Sequence, residues 1–168
     1  MKKSPNIHPD QPLPSADIYV KAYGKQDRSV IYETQNADKL FCFKGGTRSW
    51  RNNNPGNIIY GTFAAKHGAI GMADRFACFP DKQTGQKALL ALLKTSTYQK
   101  CTLEQAIYKY APPCENDTSC YLNHIVRHLD VPANTLLSNL TDTQLNQMAN
   151  LIEQHEGFKP GTIEQIEA

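Results

Sequence analysis

TDTQLNQMANLIEQHEG, residues Thr141–Gly157, reads as a helix with both ends marked in the sequence. Thr141 and Gln144 have capping-box spacing, so each side chain can satisfy a backbone donor of the first turn. Leu145, Met148, Ala149 and Ile152 repeat at helical spacing, and Gly157 suits the left-handed residue that ends a helix. Continuing the apolar stripe by four residues reaches Glu156. A carboxyl is therefore expected on the buried face, at the end where the helix dipole disfavours negative charge. Burial and dipole both favour the protonated form, the state a general acid needs near neutrality. The structural alternative is a Glu156 that frays outward or pairs with Arg48 or Arg51.

Other helices precede this one. Asp81 can cap a helix through Leu93, and Thr102 with Gln105 forms a capping box for a short helix stopped by Pro112 and Pro113. Asp117 or Thr118 can cap the next, whose Leu122, Ile125, Val126 and Leu129 share a face. Upstream, Ser29–Phe43 has the pattern of a β-hairpin: strand formers Val30 to Thr34, a turn over 35–38, then Leu40 to Phe43. Phe76 to Phe79 is a short extended piece. The sum is one α+β domain, mainly helical with one small hairpin, over residues 17–168. Residues 1–16 hold four of the ten prolines (Pro5, Pro9, Pro12, Pro14) and read as a stiff linker to a preceding domain.

Composition narrows the function classes. The chain has 168 residues, 40% hydrophobic and 20% charged, as a globular domain should. Eighteen Lys+Arg against sixteen Asp+Glu give a net charge of +2, too mild for a nucleic-acid-binding face. No apolar run approaches the length of a membrane helix, and Ser4-Pro5-Asn6 stands where a signal peptide would turn apolar. The expectation is a protein with no secretion signal of its own, delivered by other means if it acts outside the cell. Five cysteines cannot all pair; Cys114 and Cys120 bracket a short polar loop and could close a disulfide in an oxidising compartment. His124 and His128 lack a third ligand at metal-binding spacing. Neither a metal nor a cofactor is expected, and nothing points away from a monomer.

Residues 48–57, RSWRNNNPGN, are too rich in Asn, Pro and Gly to read as a regular element. They are either an ordered connecting loop or the polar wall of a cleft. Glu33, on the hairpin, shares a strand face with Ile31 and offers a second carboxylate. A protonated and an ionised carboxyl flanking one bond are the minimum for glycoside hydrolysis. For Glu33 the alternative is an ordinary solvent-facing strand residue. Glu115, just before a helix, is best read as complementing its dipole.

The run Trp50–Ile58, with His67–Gly71, Phe76–Asp81, Tyr110–Thr118 and His155–Gly157, resembles lysozyme-like peptidoglycan hydrolases of phage virions and type VI secretion effectors. It is especially similar to the C-terminal lysozyme domain of two-domain amidase–lysozyme effectors, and the likeness covers about Val30 to Phe158. The resemblance implies a lysozyme-like fold and cleavage between N-acetylmuramic acid and N-acetylglucosamine in the periplasm or wall of a target bacterium. It also implies a delivery apparatus and a cognate immunity protein as partners. Asn52–Asn57 is similar to the Asn-rich segment that follows the catalytic glutamate helix of bacterial glucosaminidases; here the matching helix, ending in Glu156-Gly157-Phe158, comes last. A circular permutation reconciles the two orders and makes Glu156 the acid and Glu33 the second carboxylate, with exchange of roles open. Arg48, Arg51, Asn53, Asn57 and Tyr110 would position the sugars. The rival readings are a lytic transglycosylase, with one acid and 1,6-anhydro products, and a non-catalytic wall-binding or virion module. One expectation needs only the sequence: a chain beginning at Ser15 should melt within about 2 °C of the parent, because an unpacked tail buries little area. A ten-degree drop in a thermal melt would mean that the segment docks on the core.

Overall fold

The structure is a computed structural model that describes residues 18–35, 39–112 and 117–167. The 1–16 linker, Glu115, and Cys114 with its pairing to Cys120 lie outside the described residues. The class is α+β and mainly helical, as the sequence pattern leads one to expect. The described residues fall into two compact units. One comprises those up to Ala88 and from Glu156 onward, and the other is Leu89–His155.

The first unit is built on a mixed sheet of β1 (Tyr19–Gly24), β2 (Val30–Thr34), β3 (Lys39–Lys44), β4 (Gly71–Ala73), β5 (Phe76–Cys78) and β6 (Thr162–Glu167). Their order is β5-β4-β1-β2-β3-β6, antiparallel except between β1 and β4. The expected hairpin is β2–β3, with Val30 opposite Phe43 and Tyr32 opposite Phe41. The expectation of a single small hairpin is corrected to six strands among the described residues. β6 is the instructive omission: its polar run TIEQIE pairs with β3 along one side, leaving its side chains mostly exposed or half-buried, so no apolar alternation marks it.

One face of the sheet carries an aromatic core. Tyr19, Tyr32, Phe41, Phe43 and Trp50 are all buried, with ring centroids 4.6 Å apart for Tyr32–Phe43 and 5.0 Å for Phe43–Trp50. Trp50 sits on α1 (Arg48–Arg51), a single helical turn where an irregular segment was expected. The cap explains it: the Thr47 hydroxyl accepts from Trp50 N at 3.4 Å, and burial of Trp50 holds the turn in place. The Tyr32 hydroxyl donates to Arg51 O at 2.6 Å, fixing the end of α1 to the sheet.

After α1 the backbone turns through Asn52–Asn57, and Asn54 makes that turn possible. Its side chain is fully buried; Nδ2 donates to Ile58 O and Ala77 O, and Oδ1 accepts from Ile58 N, each at 2.9 Å. Three buried backbone groups are thereby satisfied by one amide. Next come α2 (Thr62–Lys66) and then α3 (Lys82–Leu93), where Asp81 caps the first turn through Thr84 N at 2.7 Å.

The second unit holds the end of α3, α4 (Ser96–Gln99), α5 (Leu103–Tyr110), α6 (Thr118–Leu129), a 3₁₀ turn at Leu137–Asn139 and all of α7 (Asp142–Glu156) but its last residue. The capping boxes Thr102–Gln105 and Thr141–Gln144 both form, and Asp117 caps α6. Leu122, Ile125 and Leu129 of α6 are buried, as are Leu145, Met148, Leu151 and Ile152 of α7. Asn54→Ala removes three hydrogen bonds and strands their backbone partners. It should cost about 3 kcal/mol or more, read as a fall of roughly 10 °C in a thermal melt.

Candidate active site

Glu156 is the last residue of α7, and Gly157 follows in the left-handed conformation (φ 77°). The chain just beyond is stitched to α1. The Ser49 hydroxyl donates to Gly157 O, Thr47 N donates to Lys159 O at 2.9 Å, and Lys159 N donates to Thr47 Oγ1 at 3.0 Å. Opposite the carboxyl stands Asn57, whose N–H closes the Asn-rich turn on Asn54 O at 3.0 Å. Asn57 is itself left-handed (φ 47°), a conformation asparagine tolerates better than most residues. Its Nδ2 donates to Glu156 Oε2 at 2.9 Å across 99 residues of sequence, and its Oδ1 is buried with no acceptor bond made.

Three effects set the Glu156 proton affinity. Burial raises it and is the largest; the Asn57 hydrogen bond and the Arg48 charge lower it, and the net shift is upward. A half-buried carboxyl that keeps its proton above the usual range and is oriented by an amide is equipped to act as a general acid. Arg48 lies with its guanidinium 4.2 Å from the Phe76 ring centroid, and its charge still acts on Glu156.

The other expected site residues divide. Arg51 donates through Nη1 to Gly45 O (3.0 Å) and Gly46 O (2.8 Å), so part of its donor set is spent on the chain. Asn53 donates to Phe79 O at 3.2 Å, which makes it a brace of the turn. Tyr110 is half-buried at the end of α5, in the second unit. Glu33 alternates with Tyr32, and Tyr32 faces Trp50 and α1; Glu33 therefore points to the other side of the sheet from the Glu156–Asn57 pair. The structure brings together Glu156, Asn57 and Arg48, and leaves Glu33 apart from them.

Residues the sequence reading passed over hold the site in shape. Ser49 anchors Gly157, Asn54 fixes the turn, and Gly85 lets α3 approach it: a Cβ there would meet Asn53 O at 2.2 Å. Only Thr47 carried a legible signal, a hydroxyl at N-cap spacing before Trp50. Among the described residues no group of three His, Cys, Asp or Glu side chains could hold a metal ion, and no helix is long and apolar enough to cross a membrane.

Because the folded chain holds the Glu156 proton more tightly than the unfolded chain, ionisation costs stability. The contribution is full below the ordinary glutamate value of about 4.3 and is lost as pH rises through the raised folded value. Glu156→Gln cannot ionise. Thermal melts of parent and variant should show the parent losing ground to Glu156→Gln across that interval as pH rises, with a constant gap above it. A gap independent of pH from 3 to 8 would contradict the shift.

No family model matches the chain, and no solved structure matches it. Among curated proteins it is similar to Protein P5 of Pseudoalteromonas phage PM2, with 29% identity over 126 residues, spanning 71% of this chain and 77% of that protein.

Proposed function

We propose that the chain cleaves the glycan strand of bacterial peptidoglycan between N-acetylmuramic acid and N-acetylglucosamine, with Glu156 as the general acid. The observation that carries this reading is the half-buried Glu156 carboxyl, shifted toward its protonated form and held at 2.9 Å by Asn57. The two segments on which the resemblance to glucosaminidases rests, Asn52–Asn57 and Glu156–Phe158, lie far apart in sequence yet meet here. That is the juxtaposition a permuted lysozyme-like site requires, and it supports the proposed fold family.

In this mechanism Glu156 gives its proton to the glycosidic oxygen as the C1–O bond breaks. The sugar cation is then captured by an oxygen nucleophile, whose proton returns to the Glu156 carboxylate. Asn57 donates to Oε2, which leaves Oε1 as the proton carrier. Arg48 stabilises the carboxylate once the proton has left.

The position of Glu33 favours a second reading of the capture step. With that carboxylate on the far side of the sheet, the nucleophile can be the C6 hydroxyl of the same sugar, which would make the enzyme a lytic transglycosylase. Mass spectrometry of digested sacculi separates the two, since water gives reducing ends and the C6 hydroxyl gives 1,6-anhydro ends. Glu156→Gln should lower muropeptide release by ~10²–10⁴-fold while staying folded. Glu33→Gln should leave the rate near that of the parent. Sacculi bound by the parent without release of soluble muropeptides would overturn the proposal in favour of a non-catalytic wall-binding module.

A further inference from the structure

Arg48 belongs to two neighbourhoods. On one side its charge acts on Glu156; on the other it lines a cleft of about 500 Å³ with Lys25, Arg28, Arg51, Asn52 and Asp74. Four cations and one carboxylate are an unbalanced set. Asp27, next to Arg28 and hydrogen-bonded by Ser29 N at 3.0 Å and by the Ser29 hydroxyl, adds a second carboxylate whose charge acts on Lys25, so the cations still outnumber the carboxylates four to two. The positive charges crowd one another: burial first, then the nearby charges of Arg48 and Arg28, destabilise the charged form of Arg51.

Two side chains that line the cleft also keep buried donors without a partner. Asn52 is 1% exposed, yet its Nδ2 has no acceptor, although its backbone O receives Phe79 N at 2.9 Å. Arg51 Nε is buried without an acceptor as well, while Nη1 is occupied by Gly45 O and Gly46 O. A buried donor with no partner is costly, and an oxygen reached by a small shift of its side chain would remove that cost. Two unused buried donors beside clustered guanidinium groups call for a ligand with anionic oxygens.

We propose that this cleft binds the carboxylates of the stem peptide borne by muramic acid. The assignment rests on the glycan-cleaving reading above, because the anionic groups of such a strand are the carboxylates of its peptides. Arg48 is common to the cleft's lining and to the charges that act on Glu156, so a strand whose glycosidic oxygen sat at Glu156 would carry its peptide substituents toward that arginine. The shared chemistry, an oxyanion in a bed of arginines, also suits phosphate, and the test separates the two.

The experiment is isothermal titration calorimetry of the full chain with the free stem tetrapeptide L-alanyl-γ-D-glutamyl-meso-diaminopimelyl-D-alanine. The same peptide with its carboxylates amidated and inorganic phosphate serve as comparison ligands. The acid peptide should bind, and amidation should weaken it by about tenfold or more. Arg28→Gln and Lys25→Gln, both at exposed positions, should each weaken it by up to about tenfold with unchanged melts, whereas Glu156→Gln, which removes a negative charge beside Arg48, should not weaken it. Absence of binding, equal binding of the amidated peptide, or phosphate binding as tightly as the peptide would overturn the assignment. Sacculus cleavage without peptide binding removes this inference and leaves the proposed activity standing. Peptide binding without any cleavage supports the cleft and removes the activity.

Discussion

A loop made largely of asparagine can be buried only if its polar atoms find partners inside, and Asn54 meets that constraint. Its amide closes on Ile58 and Ala77, which ties the turn to β5 and fixes where the backbone emerges at Asn57. Asn57 then donates its side-chain amide to Glu156. The acid is held from the other side by the Ser49–Gly157 bond and the pair of bonds between Thr47 and Lys159. Weakening Asn54 would therefore disturb the orientation of a carboxyl it never touches.

Glu156 is governed by opposing effects of unequal size. Burial favours the protonated carboxyl, while Asn57 and Arg48 favour the carboxylate. The excess of burial shifts the group toward its protonated form. The opposing pair limits that rise, so the same surroundings accommodate both the carboxyl and the carboxylate. Arg48 couples this balance to the basic cleft, since an anion bound there would partly neutralise the charge that lowers the proton affinity of Glu156.

The helical part of the fold was legible because its signals are local. Thr102–Gln105, Asp117 and Thr141–Gln144 act within a turn, and each cap forms. β1, β4 and β6 were not legible as strands: β1 and β4 pair with the next strands in sequence, β2 and β5, but show no clean apolar alternation, and β6 is polar and pairs with β3 far upstream. Trp50 shows the reverse case: a residue in a seemingly irregular run is helical because the aromatic core and the Thr47 cap both act on it. For the site, the stripe of α7 pointed Glu156 inward, and alternation placed Glu33 with Ile31. Alternation alone did not say which face of the sheet would meet the acid; the packing of Tyr32 against the Trp50 side decides that.

The central claim is that burial raises the proton affinity of Glu156 and that Asn57 tempers this. A carboxyl-carbon NMR titration of Glu156 in the full chain measures it directly. The account predicts a midpoint above the ordinary glutamate value of about 4.3, and a higher one still in Asn57→Ala, where a bond that favours the carboxylate is gone. A midpoint at or below the ordinary value, or one that falls in Asn57→Ala, would contradict it.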